Sequence, residues 1–568
     1  MARKSLAVVF AGSGGAGAMT AGVVFLRACA RAGYFGLMTQ LFGAQVRGGE
    51  SASLVQISVE PIESQPDRYD LFIALDWDKV DQFAAEIPLD EASLVIADTR
   101  AGAVPAAVAR TKARIVELDM SEGVKLGRGP QRVNMVAAGA VAGLVGLSTG
   151  DVEAAVGQVF SGKDAALLAA NQRSAVVGFA ASASLTLNVR LDPPRQNGRW
   201  LISGNQAIAL GALRGGVRFV GCYPITPATD LVEWLAPHLS KLGGRLVLGE
   251  DELASVNMAL GASYGGTPAM TVTSGPGFSL MVETLGLAVA AEIPLVVVDV
   301  MRAGPSTGIA SKTEQSDVNL AIHGAHGDAP RVVMAPMSVA DCAATAEYAT
   351  YVAEALQTPV IVLSDQQLGQ STTVIDSELR RPKPMMRRVE RTVLGKPFLR
   401  YAIGVDPVTA MPRPGTPGRE WVAEGLTHNE AGLPTSGAGM HVAQINKRAK
   451  KFTRFDAGEW WGQCWGDGAT AIVAFGSTVG PAREAARRLA ASSQPVRVVG
   501  LRVLSPLPME QIARALHGAR RIIVVEQNHG AQLYHYLVGR KAIPPAAESV
   551  ARPGPLPYRP SEIASYVA

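Results

Sequence analysis

The chain has 568 residues, 48% of them hydrophobic and 18% charged, with a formal net charge of +4. That composition belongs to packed globular domains, about three or four at ordinary domain sizes, and excludes a disordered or fibrous chain. The small net charge and the lack of a long basic run argue against nucleic acid as a partner.

Four cysteines, Cys29, Cys222, Cys342 and Cys464, stand too far apart for a zinc site, a disulfide framework or an iron–sulfur cluster held by this chain alone. No metal site is therefore read on it. The opening residues run directly into a strand, and their apolar stretch is too short for a signal peptide. The longest smooth stretch, 135–147, is roughly 13 residues and too short to span a bilayer. A cytoplasmic protein with no membrane partner is expected.

In chain order, strand-like runs at 5–11, 71–75, 94–97 and 114–117 alternate with helical stretches. They predict a first α/β domain over 1–192, closing at Asp192-Pro193-Pro194. Inside it, Gly12-Ser13-Gly14-Gly15-Ala16-Gly17 matches a dinucleotide fingerprint after a strand. Such a site needs an acid about 20 positions later for the ribose hydroxyls, and the first acidic residue of the whole chain is Glu50. NAD is thus set aside, leaving a turn whose backbone amides suit at most a phosphate.

A second α/β domain is expected over 200–375, with strands at 218–221, 269–272, 295–300 and 360–363. Residues 376–466, rich in Pro, Gly and Arg, read as a long connection over the surface. A third α/β domain over 467–568 follows, with strands at 471–475, 496–500 and 521–525. Alternating strands and helices predict mainly parallel sheets in all three. Gly466-Asp467-Gly468 looks like the start of the magnesium-diphosphate motif of thiamine enzymes. Residues 469–527 contain no asparagine to complete such a metal shell, so a turn ahead of a strand is the better reading.

Chemistry concentrates in the second domain. Tyr223-Pro224-Ile225-Thr226-Pro227 follows a strand, and its prolines fix the backbone at the strand's carboxyl end, where ligands sit in parallel sheets. A rigid strand-to-helix turn explains the motif equally well. Glu250-Asp251-Glu252 opens a helix of small and apolar residues. An acid in a first helical turn is ordinarily a solvated helix start favoured by the macrodipole. One entering such apolar surroundings instead has its charged form disfavoured by desolvation. Thr273-Ser274-Gly275-Pro276-Gly277-Phe278 gives a loop that a ring or phosphate can approach closely, or simply a tight turn. Arg302, at another strand's end, presents a fork suited to a carboxylate, with an ion pair to a nearby acid as the plain alternative.

Taken together, these segments resemble the α subunit of the 2-oxoacid:ferredoxin oxidoreductases, and most closely the 2-oxoglutarate enzymes (2-oxoglutarate synthases). The resemblance rests on Gly204-Asn205-Gln206-Ala207-Ile208-Ala209-Leu210-Gly211, Tyr223–Pro227, the Glu250–Ala254 run, Thr273–Met281, Arg302-Ala303-Gly304-Pro305-Ser306-Thr307-Gly308, His326–Arg331 and Thr358–Asp365. It extends to both ends of the chain. Gly12–Gly17 with Arg47-Gly48-Gly49-Glu50-Ser51 is similar to the family's γ domain, fused here at the N-terminus. The last unit, with Val525-Glu526-Gln527-Asn528, resembles a transketolase C-terminal domain, and the Glu424–Glu430 run is similar to a family motif of unclear role.

The resemblance implies thiamine diphosphate bound in a pyrimidine-binding domain, with Glu252 at N1′ of the aminopyrimidine. Tyr223, Pro224, Ile225, Thr226, Ser274, Gly275 and Phe278 would also meet the cofactor. Thr226 and Arg302 would take the oxoacid carboxylate, and Ser306, Thr307 or Ser311 would orient a longer substrate. Arg47, Gly48 and Gly49 are the candidates for coenzyme A, the co-substrate. Magnesium, the diphosphate and a [4Fe–4S] cluster would come from a β subunit in an (αβ)2 assembly, and ferredoxin would take the electrons. The implied reaction is CoA-linked oxidative decarboxylation of 2-oxoglutarate, reversible in the family. The alternatives are the same chemistry on pyruvate or branched-chain oxoacids, and a non-catalytic scaffold. Alanine at 303, where the family usually has glycine, is a small departure.

Overall fold

In the computed structural model, residues 4–43, 49–120, 132–187, 191, 198–389 and 398–567 are described. Seven strands open the chain: β1 (Ser5–Ser13), β2 (Phe35–Phe42), β3 (Glu50–Ser58), β4 (Leu71–Ala74), β5 (Leu94–Asp98), β6 (Arg114–Leu118) and β7 (Arg199–Ser203). Both faces of their sheet are covered. Val8 and Phe10 of β1 join one buried cluster while Ala7, Val9 and Ala11 join another. That is why the strand reads as an unbroken apolar run with no alternation.

Six strands follow: β8 (Phe219–Cys222), β9 (Arg245–Leu248), β10 (Ala269–Thr273), β11 (Leu295–Met301), β12 (Val332–Met334) and β13 (Pro359–Asp365). After them come β14 (Thr372–Asp376), β15 (Gly462–Trp465), β16 (Thr470–Phe475), β17 (Val496–Leu501), β18 (Val503–Ser505), β19 (Arg521–Glu526) and β20 (Glu548–Ala551). Three sheets result, ordered β6-β5-β4-β1-β3-β2-β14-β7, β18-β12-β13-β11-β10-β8-β9 and β15-β17-β16-β19-β20.

The α/β class holds, with one correction to the expected parallel pattern. The first sheet is mixed: β3 runs antiparallel to both β1 and β2, and β14 runs antiparallel to β2 and β7. The link from β2 to β3 is too short for the dozen or more residues that a parallel crossover requires, so the two must reverse. The second sheet is parallel except where β18 joins β12, and the third except at β15.

The chain divides into two compact units, 1–203 with 370–378 and 559–561, and 204–369 with 379–558 and 562–568. Two features separate this from the three domains read in the sequence. β7 and β14, at the two ends of the 200–375 stretch, pair with each other and belong to the first sheet, with Thr372 opposite Ser203. β18, from the C-terminal stretch, extends the second sheet beside β12. Long-range pairing of this kind leaves no trace in local periodicity. The Asp192-Pro193-Pro194 boundary lies outside the described residues.

Within the second unit, the helix Gly204–Gly215 packs on the helix Val339–Leu356. A Cβ on Gly211 would lie 2.0 Å from the Ala343 carbonyl oxygen, so only glycine permits this approach.

Part of the expected surface connection is buried. Arg400 and Tyr401 have no exposed surface, and His428, Lys447 and Lys451 are nearly as enclosed. They gather round Glu292, itself fully buried: Lys447 Nζ lies 2.5 Å and Lys451 Nζ 2.7 Å from its carboxylate, and Arg400 donates to its carbonyl oxygen at 2.7 Å. The His428 ring lies 4.0 Å from that of Tyr401, whose amide donates to the Glu430 carbonyl at 3.0 Å. This gives the Glu424–Glu430 run a structural place. Its polar composition misleads because the cations' stems pack as apolar groups while one acid and several carbonyls take their heads. The surrounding cations hold the Glu292 carboxyl far below the usual carboxylate range despite burial, and burial draws Lys451 down to about 8.

Glu292→Gln should therefore cost the full chain about 3–5 kcal/mol of unfolding free energy, because it strands two buried ammonium groups. Urea unfolding measures this, and a loss below about 1 kcal/mol would show that the cluster is not a buried ion pair of the usual kind.

Candidate active site

β8, β9, β10 and β11 lie side by side in the parallel sheet, and the segments leaving their carboxyl ends form the site. From β8 comes Tyr223-Pro224-Ile225-Thr226-Pro227, with Tyr223, Pro224 and Thr226 exposed and Ile225 half-buried. Asn205 holds the segment from below, donating to the Pro227 carbonyl at 2.8 Å.

From β9 comes the acidic run. Asp251 caps the helix Glu252–Tyr264, its carboxylate accepting from the Ala254 amide at 2.7 Å. Glu250 and Asp251 face solvent while Glu252 is only 7% exposed, so the three acids have different surroundings. Among the described residues no side chain or amide pairs with the Glu252 carboxyl, although it is close-packed. A Cβ on Gly277 would lie 2.5 Å from its Oε1 and 2.3 Å from Thr273 Oγ1. Glycine at 277 is thus what lets the acid lie against the start of the helix Gly275–Ala290.

From β10 comes Ser274, which precedes that helix, and here two expected cofactor contacts are corrected. Phe278 has no exposed surface and packs with Val256, Met281 and Leu285 in the core. Ser274 is equally enclosed, its hydroxyl without a hydrogen-bond partner among the described residues. An aromatic one helical turn past a glycine loop sits on the core-facing side of the helix, so neither side chain presents surface in this structure.

From β11 comes Arg302, 8% exposed, whose Nη1 donates to the Thr226 carbonyl at 2.7 Å. Thr226 and Arg302 are brought together through the threonine's backbone. The arginine's Nε is buried without a partner among the described residues. Burial lowers its affinity for the proton, and neighbouring Asp317 works the other way. The residues after it fold back: the Ala303 amide donates to Lys312 at 3.0 Å and the Ile309 amide to Ala303 at 2.9 Å. Ser306 and Thr307 stand exposed at the tip, and Ser311 is half-buried at the base.

The segments leaving β10 and β11 border a cavity of about 620 Å³ lined by Gly275, Arg302, Ser306, Thr307, Asp317 and His529, among others; Tyr223–Pro227, Glu252 and Ser311 are not part of its wall. The sequence reading missed its far side. Gln315 and Gln527 exchange hydrogen bonds at 2.7 and 3.0 Å, Asn528 donates to the Gln315 carbonyl at 3.1 Å, and Gln532 donates to the Ser316 carbonyl at 2.7 Å. The Val525–Asn528 motif therefore fixes one wall of the cavity. Its signal was the polar run 313–317 between apolar strands.

The glycine turn of the first unit is filled from within. Asp76 accepts from the Ser13 amide and hydroxyl, both at 2.9 Å, and the Gly14 amide donates to the Gly49 carbonyl at 2.8 Å. The Ser13 and Gly14 amides of the turn are thus engaged. Of the coenzyme A candidates, Arg47 and Gly48 lie outside the described residues. Gly466, Asp467 and Gly468 lie in the connection from β15 to β16, as read. No described helix is long and apolar enough to cross a membrane.

A buried acid at a helix entrance beside a glycine-bearing βα loop, with an arginine at the end of β11 in the same sheet, fits an α/β chain of the thiamine-dependent class. The family model for the thiamine-diphosphate-binding part of pyruvate flavodoxin/ferredoxin oxidoreductases matches residues 210–447. The pyruvate ferredoxin/flavodoxin oxidoreductase model matches 7–181, and the transketolase C-terminal domain model 463–534. The alpha subunit of 2-oxoacid:ferredoxin oxidoreductase 2 from Aeropyrum pernix is 32% identical over 77% of this chain and 73% of its own. The KorA subunit of 2-oxoglutarate synthase from Archaeoglobus fulgidus is 36% identical over 58% of this chain and 88% of its own. Among solved structures, 2-oxoglutarate:ferredoxin oxidoreductase from Magnetococcus marinus, with 2-oxoglutarate, coenzyme A and succinyl-CoA bound, superposes with a TM-score of 0.90 at 34% identity. That match covers 100% of this chain and 99% of the other. The chain belongs to the 2-oxoacid:ferredoxin oxidoreductase family, where it corresponds to the alpha subunit.

Gly277→Ala should push the Glu252 carboxyl out of place and lower turnover at least ~10-fold, the scale of a displaced proton-transfer group. Gly286→Ala, in the same helix with open space around it, serves as the control. Equal turnover in the two variants would mean that the position of the acid does not matter.

Proposed function

We propose that this chain is the alpha subunit of a 2-oxoglutarate:ferredoxin oxidoreductase, active with a β subunit. It would convert 2-oxoglutarate, coenzyme A and oxidised ferredoxin to succinyl-CoA, carbon dioxide and reduced ferredoxin. The observation that carries this reading is Glu252, a buried carboxyl with no partner among the described residues, positioned by Gly277. Such a group fits a ring nitrogen, which would supply the missing hydrogen bond. When bound, thiamine diphosphate supplies a nucleophilic carbon and an electron sink for decarboxylation. Glu252 holds and returns the proton at N1′ of the aminopyrimidine. Arg302 grips the oxoacid carboxylate, and its bond to the Thr226 carbonyl keeps the guanidinium aimed. Ser306 and Thr307, at the cavity's edge, suit the second carboxylate of a dicarboxylic acid.

Several large apolar side chains bordering Glu252 are exposed: Tyr223, Leu248, Leu253, Met258 and Leu280. Exposed apolar surface of this kind marks a face that a partner covers. This supports a β subunit as the source of the diphosphate, magnesium and [4Fe–4S] sites, and an (αβ)2 assembly.

Glu252→Ala should lower turnover of the complex at least ~100-fold, the scale of lost proton transfer. Arg302→Ala should act mainly on kcat/KM for the oxoacid. Co-purification with the partner and steady-state assays with 2-oxoglutarate, pyruvate and branched-chain oxoacids test the assignment. Full-rate decarboxylation by the Glu252 variant would point to a scaffold, and a preference for pyruvate would replace the substrate.

A further inference from the structure

The Gly466-Asp467-Gly468 turn lies outside the site above, yet it walls another cavity. That cavity measures about 400 Å³, and Trp461, Cys464, Asp467, Arg497, Gln511 and Arg514 are among the residues that line it. Its size falls in the range of small-molecule sites. It lies at the amino ends of the third sheet, since the turn precedes β16 and Arg497 is the second residue of β17, which runs parallel to it. Gln527 and Asn528, which wall the other cavity, follow the carboxyl end of β19, also parallel to β16. The two cavities therefore sit at opposite ends of one sheet.

Glycine on either side of Asp467 lets the turn lie against the start of β17. A Cβ on Gly466 would be 2.6 Å from the Val496 carbonyl oxygen, and one on Gly468 2.1 Å from that of Pro495. The Asp467 carbonyl is thereby brought to Arg497, whose Nη2 donates to it at 3.1 Å. Nη1 of the same arginine donates to the Ala515 and His517 carbonyls at 2.7 and 2.8 Å, where the helix Met509–Leu516 ends. Its Nε is buried without a partner among the described residues. Three neutral carbonyls thus fix this guanidinium, and among the described residues no carboxylate pairs with it. Arg514, exposed on that helix, likewise has no ion pair or side-chain hydrogen bond among the described residues. Asp467 is the one acid among the lining residues.

A guanidinium held by carbonyls keeps its whole charge, and a second arginine in the same concave wall raises the potential there. Their planar forks suit carboxylate or phosphate oxygens. Trp461 adds a flat apolar face. We propose that this cavity is a binding site for a small anion, a carboxylate or phosphate on a flat or apolar body, held by Arg497 and Arg514 against Trp461. Arg497 supplies a fixed charge and Arg514 an unpaired fork. No residue of the oxoacid site takes part.

Cys464 provides the readout, because it is exposed while Cys29, Cys222 and Cys342 are buried. Burial pushes its thiol up and Arg497 works against that, so the thiol senses the charge in the cavity. On the holoenzyme, peptide mass spectrometry follows alkylation of Cys464 by N-ethylmaleimide at neutral pH, with ionic strength held constant by sodium chloride. Inorganic phosphate is the probe in one arm and phthalate in the other. An anion at about four times its Kd should slow alkylation roughly fivefold, because only the empty fraction reacts freely. Arg514→Gln should remove that protection without lowering the melting temperature, since the side chain has no partner to lose. Protection by phosphate alone supports a phosphate site, and protection by phthalate alone supports a carboxylate site. A rate that neither probe lowers below the chloride value would overturn the proposal, and so would protection that survives in Arg514→Gln.

Discussion

The site depends on one mostly enclosed acidic side chain that has no hydrogen-bond partner among the described residues. A buried acid normally finds a donor or surrenders its charge, because leaving it unsatisfied costs free energy. Glu252 has its place fixed by a helix start, a cap supplied by Asp251 and a glycine that leaves room for its oxygens. The chain has therefore built everything around this group except its hydrogen-bond partner. Family membership gives that gap a meaning, since a ring nitrogen of thiamine diphosphate would complete it.

Much of this was legible in the residues. Glu252 could be preferred over Glu250 from its spacing to the Thr273–Gly277 loop, and the structure buries it while its two acidic neighbours stay exposed. The sequence put Thr226 and Arg302 at the ends of two strands, but the bond from the arginine to the threonine's carbonyl is visible only in the fold. Phe278 and Ser274 were misplaced because a loop motif states which residues are near a site but not which way each faces.

The same limit explains the fold. Strands buried on both faces are easy to recognise as apolar runs, and the expected strands of the second and third sheets lie close to the observed ones. Which strands become neighbours is decided by distant pairing, so β7, β14 and β18 went to sheets that the sequence order did not suggest. The connection to the C-terminal strands erred for a chemical reason. Arginine and lysine signal surface, yet here they are the filling around Glu292.

The turn at Gly12–Gly17 carries a nucleotide fingerprint whose first amides are taken up by the chain itself. Asp76 is tethered to the same fold, so its carboxylate is present at the Ser13 amide at a high effective concentration. A free phosphate would have to compete against that built-in anion and against its charge. The glycines then serve the chain's own loop geometry, which makes the first unit a self-liganded relative of nucleotide-binding turns.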